Sequence, residues 1–522
     1  MKKLTLLLCF VSFLTKAQNI TVASGKSFTI EKTGAVTMSG NFSNSGTFTL
    51  NSDSNEFSSI IIGGSVTGNI SYNRYVNSVG TNEWDLIGAP VEGQSINSFV
   101  TANASTLASN GDAYAIGYYD NYWNEWENYT TSSNGYPFNG NFLLGMGFQM
   151  ATISGGTLKF TGAPAATNKT LPIIDFSVVV GEGGGEGTKW NLVANPFPSY
   201  IHGNTSADSS NNFLTINSEK LHDSYQAIYG YDADGSGFTV YNNTSAALRI
   251  APGQAFMVAS DNPNVGNPDV LSFTTAMRTT EGDDDFIAGR NSENSFELIL
   301  KLYEGDSEID HTKFYFGDGL GLDLDPGYDA GHFNQGASLM SRLVEEDEGV
   351  GLVINAMGIE SANDVVVPIE LNREAGNNFR ISIGTFNIDT GTNIYLEDNI
   401  QGTMTLLNDQ DFELIAENEL SGVGRFFIHL TETVLSIDDK IETNYLNVFK
   451  ADVNNFITVE GLANQSNLTK LRLYTIHGKE VISATLNNNN KQMISTQCLS
   501  PGIYIVKLDS GNILLTKKLF IK

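Results

Sequence analysis

Cysteine is nearly absent from this chain of 522 residues. Cys9 lies within an apolar leader, and only Cys498 stands beyond it, so no intrachain disulfide can staple the mature protein. Positive charge is also scarce. The 29 Lys and Arg face 58 Asp and Glu, giving a formal net charge of −29. That balance excludes nucleic acid as a partner, because displacing phosphate counterions takes a basic face. Long apolar runs are missing too. The run from Leu4 to Leu14 is too short to span a bilayer, so no transmembrane segment is expected. Enzyme signatures are missing as well: there is no G-x-S-x-G elbow, H-E-x-x-H pair, C-x-x-C, phosphate loop or dinucleotide-binding glycine pattern. The 6 His are scattered singly. Acidic pairs such as Glu125 and Glu127 lie two apart on one strand and point the same way, so they cannot flank a scissile bond. No catalytic residue is assigned, and the chain is read as not an enzyme.

What is present points to an exported protein built of β-sheet. Met1-Lys2-Lys3, the apolar run and Thr15-Lys16-Ala17-Gln18 read as a signal peptide over residues 1–18. The length implies several domains, and 52 Gly, 10% aromatic and 17% charged residues suit strands broken by many turns. Residues 19–69 alternate in short runs punctuated by Gly25, Gly34, Gly40 and Gly46, a spacing for a short β-solenoid or a meander.

Residues 70–280 carry an internal duplication, with copies at about 70–165 and 175–280. Trp84-Asp-Leu-Ile-Gly-Ala-Pro90 answers Trp190-Asn-Leu-Val-Ala-Asn-Pro196, and AIGYYD from Ala115 answers AIYGYD from Ala227. Gly145, Phe148 and Met150 match Gly253, Phe256 and Val258, and the LKF at Leu158 matches the LSF at Leu271. Each copy is expected to open with a hairpin into its Trp strand, the second through the loop Gly181 to Gly187. Beyond the acidic boundary Glu281 to Phe286, residues 286–433 offer short strands at sandwich spacing.

The end of the chain, 435–522, is the most distinctive stretch. LRLYTIHGKEV from Leu471, LSPGIYIVKL from Leu499 and KKLFIK from Lys517 together resemble the type A C-terminal sorting domain of proteins exported by the type IX secretion system of Bacteroidetes. The resemblance implies a small Ig-like sandwich that is read by the export machinery and separate from the cores before it. Secretion to the medium or the outer cell surface is the implied destination. Where the family often opens with aromatic-Pro-Asn-Pro, this chain has NYLNVFK, Asn444 to Lys450. The stretch before it, from IDHTKFYF through LDPGYDAGHF to RFFIHL, is similar to modules that precede sorting domains in large surface proteins. The fold class expected is therefore all-β: tandem Ig-like or jelly-roll-type sandwiches, with a short N-terminal β-repeat and a C-terminal Ig-like sorting domain.

Two constellations suggest ligands. The aromatic stretch Tyr114 to Phe138 has the Trp, Tyr, Asn and acid content that stacks on sugar rings and bonds their hydroxyls. Tyr119, Trp126 and Tyr129 have aromatic counterparts in the second copy and read as core. Tyr122 and Trp123 align with Asp234 and Gly235 at a hairpin tip, so they are expected to be exposed and to bind glycan. Asp232, Asp234 and Ser236 before Gly237, and Asp323, Asp325 and Asp329 in GLDLDPGYDAG, alternate oxygen ligands beside glycine as calcium loops do, with a plain Asx turn as the other reading. The expected role is non-catalytic adhesion or glycan binding at the cell surface. A structural surface-layer or spacer protein is the alternative, and a polysaccharide hydrolase or its accessory subunit the third.

Overall fold

The computed structural model describes residues 18–522 apart from 80–83, 133–136, 178–186, 233–236, 283–295, 334–335, 388–390, 433–444, 451–454, 466, 490, 512 and 522. The chain is all-β, with helices confined to short segments. Among the described residues no helix is long and apolar enough to cross a membrane. Two compact units form: one of residues 1–220, 228–241 and 246–290, the other of 221–227, 242–245 and 291–522.

The first unit begins as a parallel coil, not a meander. Ile20–Val22, Ser27–Ile30 and Ala35–Met38 form three sides of a turn. Phe42–Asn44, Thr47–Asn51 and Ser59–Ile62 stack beside them in the same order, all parallel. Val22, Ile30, Met38, Phe42, Leu50 and Ile62 fill the interior. The last rung, Ile70–Val76, runs parallel to Thr47–Asn51 on one edge and antiparallel to Gly156–Pro164 on the other. One mixed sheet thereby joins the coil to the first copy of the duplication.

The two copies share one topology. In the first, the strands order as Asp85–Gly88, Gly147–Met150, Ala113–Asp120, Glu125–Thr130; in the second, as Trp190–Ala194, Ala255–Ala259, Ile228–Asp232, Gly237–Tyr241. In the first copy the expected opening hairpin into the Trp strand does not form among the described residues; in the second, Phe176 N–H donates to the Thr188 carbonyl (3.1 Å) across the expected loop, most of which lies outside the described residues. Each copy's opening strand pairs instead with its closing one: Ile70–Val76 with Gly156–Pro164, and Lys169–Ile173 with Asp269–Phe273. Both partners alternate buried and open residues, so pairing them buries one continuous apolar face. Of the loop Gly181 to Gly187, only Gly187 lies among the described residues.

A short helix seals each copy, a feature the strand pattern hid. Ile96–Asn103 and Phe213–Asn217 end on an asparagine whose side chain imitates a strand edge. Asn103 donates Nδ2 to the Phe99 and Lys159 carbonyls (2.9 and 3.1 Å) and accepts the Lys159 N–H (2.8 Å). Asn217 does the same with Phe213 and Ser272 (2.9, 3.1 and 2.7 Å). The shared phrases FVTAN and FLTIN were a legible signal for this device.

The copies meet around a local dyad through reciprocal backbone bonds. Gly88 N–H donates to the Gly253 carbonyl, and the equivalent Ala194 N–H to the Gly145 carbonyl, both at 2.7 Å. Ile87 bridges Gln254 as Val193 bridges Met146.

In the second unit, strands from Phe296–Glu304 to Phe426–Thr431 lie on one hydrogen-bonded path rather than in two separate sheets. The path bends around a single core that includes Leu298, Leu300, Phe314, Val367, Ile394 and Ile428. Register shifts at Ile299/Leu300 and Leu302/Tyr303 allow the bend. The C-terminal domain follows as a sandwich of a three-stranded sheet (Asn447–Lys450, Phe456–Glu460, Lys491–Ser495) and a four-stranded one (Glu480–Leu486, Thr469–Thr475, Gly502–Asp509, Leu514–Ile521). It has its own core, with Val448, Val459, Leu473 and Val506.

That domain is not independent of the sandwich before it. Arg342 is 1% exposed and joins three carboxylates: Asp347 (3.1 Å), Glu370 (2.8 Å) and, from the C-terminal domain, Glu460 (3.1 Å). Burial opposes the guanidinium charge, but the three carboxylates together hold it firmly protonated. Tyr445 and Asn447 donate to Asp347 Oδ2 (2.8 and 2.9 Å). The residues that replace the family's opening turn thus close the joint. Gly349 has φ +87, and an added Cβ would lie 2.1 Å from the Phe449 ring, so only glycine admits that ring.

Two outcomes follow for stability. Asn103→Ala and Asn217→Ala each strand a strand N–H, and each lowers the unfolding free energy of the first unit by about 2–3 kcal/mol in urea titration. Arg342→Met leaves buried carboxylates without their cation and costs the second unit about 3–5 kcal/mol.

Candidate functional site

The hairpin Ala113–Asp120 to Glu125–Thr130 turns over Asn121-Tyr122-Trp123-Asn124. Asp120 Oδ1 accepts the N–H groups of Tyr122 (3.0 Å) and Trp123 (3.3 Å), and Asn124 takes φ 55, as asparagine tolerates. Asn121 ties the tip to the start of the second copy, donating Nδ2 to the Ile174 carbonyl and Asn191 Oδ1 (both 3.1 Å). The tip is therefore a built turn.

Trp123 is 44% exposed. Tyr122, expected to be open, is half-buried with its ring edge-on to Phe176 at 5.3 Å. Trp126, read as core, is 38% exposed, whereas Tyr129 is buried. The shared aromatic character of Trp126 and Phe238 has another cause. Each packs at a tilt against the tyrosine opposite it in register, Trp126 on Tyr119 (5.3 Å) and Phe238 on Tyr231 (5.1 Å). The duplication preserves a cross-strand pair, not a core position.

Register places Asn128 and Gln149 on the same face as Tyr119 and Trp126, both opposite Gly117. Gln149 Nε2 donates to Asn128 Oδ1 at 2.9 Å across this glycine, where a Cβ would lie 2.2 Å from that oxygen. In the second copy the same three places hold Tyr229, Val240 and Met257, with Tyr229 and Met257 fully packed. The first copy thus carries an amide pair over bare backbone where the second carries apolar packing. That contrast could have been read from the aligned copies. On the other face, Tyr118 donates to Glu127 (2.8 Å) and Asp120 (3.2 Å), and burial with these carboxylates pushes its phenol up. Glu125 lies on that face too, opposite Asp120, so Glu125 and Glu127 share one face of one strand.

Of the proposed calcium ligands, Asp234 and Ser236 lie outside the described residues, and Asp232 is placed only as a strand end. In the second loop Asp323 is exposed, Asp325 Oδ2 accepts the Gly321 N–H (2.8 Å), and Asp329 is fully buried. Asp329 accepts the N–H groups of Asp325 and Ala356, both at 2.7 Å. This loop closes on its own backbone, and among the described residues no three His, Cys, Asp or Glu side chains gather as a metal would need. Burial pushes the Asp329 carboxyl up to about 7 from 3.8, against the two N–H bonds. Its folded pKa is raised, so its contribution to stability is full at low pH and is lost as pH rises through about 7. The urea midpoint of the second unit should therefore fall between pH 4 and pH 8 more steeply in the wild type than in Asp329→Asn. Equal slopes would remove Asp329 as the cause.

A family model described as "Domain of unknown function (DUF8693)" matches residues 10–429, and one described as "Secretion system C-terminal sorting domain" matches residues 451–522. No curated protein matches the chain.

Proposed function

From a chain that belongs to the DUF8693 family and carries a type IX sorting domain, and so is exported to the cell surface or the extracellular space, we propose a non-catalytic glycan-binding role, carried by the first copy of the duplication. The supporting observation is the exchange of Tyr229, Val240 and Met257 for Gly117, Asn128 and Gln149 beside an open Trp126. A sugar ring lays its C–H face on Trp126, while the two amides, which Gly117 leaves room to meet, offer donors and acceptors to its hydroxyls. Trp123 is a second exposed aromatic, at the tip of the same hairpin. Tyr122 serves the tip by packing on Phe176. One stacked ring contributes on the order of 1 kcal/mol beyond buried area, so single sites are weak and surface display multiplies them by avidity.

The test is retention on a panel of immobilised polysaccharides. Trp126→Ala and Gln149→Val should each abolish retention on the polysaccharide that holds the wild type, and shift Tm by no more than about 2 °C. A Trp126→Ala protein that melts several degrees lower makes this face packing. A wild type retained by no polysaccharide leaves the spacer role.

A further inference from the structure

The C-terminal domain has two sheets, and the Arg342 joint engages one of them. Glu460, Asn447 and Phe449 belong to the three-stranded sheet. Lys517, on an inward position of the other sheet, reaches the Asp347 carbonyl from its edge (3.0 Å). The outer face of the four-stranded sheet stays open. Its register aligns Arg472, Lys507 and Thr516 in one row, Tyr474, Ile505 and Lys518 in the next, and Ile503 with Phe520 beyond. Lys470 stands at the other end opposite Asp509. Phe520 is 56% and Ile503 45% exposed. Of the acids here, Asp509 faces Lys470 and Glu480 reaches Arg472 at 4.0 Å, which leaves Lys507 and Lys518 as surplus cations.

This is a basic, partly apolar surface on a chain of net charge −29. An acidic partner repels the rest of the protein and attracts this face, so the field orients the approach before contact. Exposed Phe520 and Ile503 side by side supply the apolar anchor that charge alone lacks. The domain is handled by the type IX machinery, which must grip some surface of it; on the docked sheet the outward Asn447, Phe449, Thr458 and Glu460 are buried, and only the edge strand Lys491–Ser495 stays open there. We propose that the outer face of the four-stranded sheet is the surface the export machinery grips, and that its partner there presents acidic side chains around an apolar recess for Phe520 and Ile503.

The experiment uses the full chain in a type IX-competent host, comparing surface plus medium with periplasm. Lys507→Glu/Lys518→Glu and, separately, Phe520→Ser are expected to cut the delivered fraction by about tenfold or more, with matching periplasmic accumulation and unchanged Tm. Lys26→Glu, an exposed reversal in the first unit, should be delivered normally. If the double variant misfolds, Phe520→Ser decides alone. Delivery of the well-folded tail variants at the wild-type level overturns the proposal. In that case, loss of their sedimentation with phosphatidylglycerol vesicles assigns the face to a lipid surface, and loss of a concentration-dependent dimer assigns it to a second copy of the chain.

Discussion

Two backbone hydrogen bonds, Gly88 to Gly253 and Ala194 to Gly145, fix how the duplicated halves meet. With no disulfide possible, the halves must be joined by packing and by satisfied backbone groups. The bonds are equivalent under the duplication, so one contact geometry serves twice, as in a symmetric dimer. The coil attaches through Ile70–Val76, which belongs at once to its last rung and to the first copy. The same logic, a strand completing two structures, makes the first unit one body rather than beads on a string.

A duplicated scaffold lets one copy keep the packing while the other changes. Tyr229 and Met257 are packed in the second copy, and in the first the matching Gly117 lies beneath the amide pair that Gln149 forms with Asn128. The Asn103 clamp that seals the first copy persists beside this change, as Asn217 does in the other copy. In the second unit the constraint is electrostatic. Arg342 gathers Asp347, Glu370 and Glu460, and burial raises the Glu460 carboxyl above its ordinary range even beside Arg342 and Lys491. Such a cluster is specific, since every member left without its partners is costly.

Much of this was legible in the sequence. The all-β class, the export tail and the duplication follow from alternation, glycine spacing and the Trp84 and Trp190 phrases. Strand partnership did not. Local alternation says that Lys169–Ile173 is a strand, but only the closed fold says that it pairs with Asp269–Phe273. Trp126 was misread because an aromatic retained in both copies suits a core and an exposed cross-strand pair equally well. Asp325 and Asp329 have calcium-loop spacing; Asp325 Oδ2 and both Asp329 oxygens accept backbone N–H groups, a use that spacing does not show. The Arg342 joint was invisible because Glu370 and Glu460 come from distant stretches, and a lone Arg near an acid such as Asp347 is ordinary in so acidic a chain. The tail has the separate core expected of it, but the buried joint to the preceding sandwich was not foreseen.

The most direct test of this account is amide hydrogen exchange at the local dyad. If the reciprocal bonds hold the two copies together, the Gly88 and Ala194 N–H groups are protected to the same degree, and both exchange only by opening of the whole first unit. Rapid exchange of either one, at the rate of an open loop, would contradict the shared dyad and the scaffold built on it.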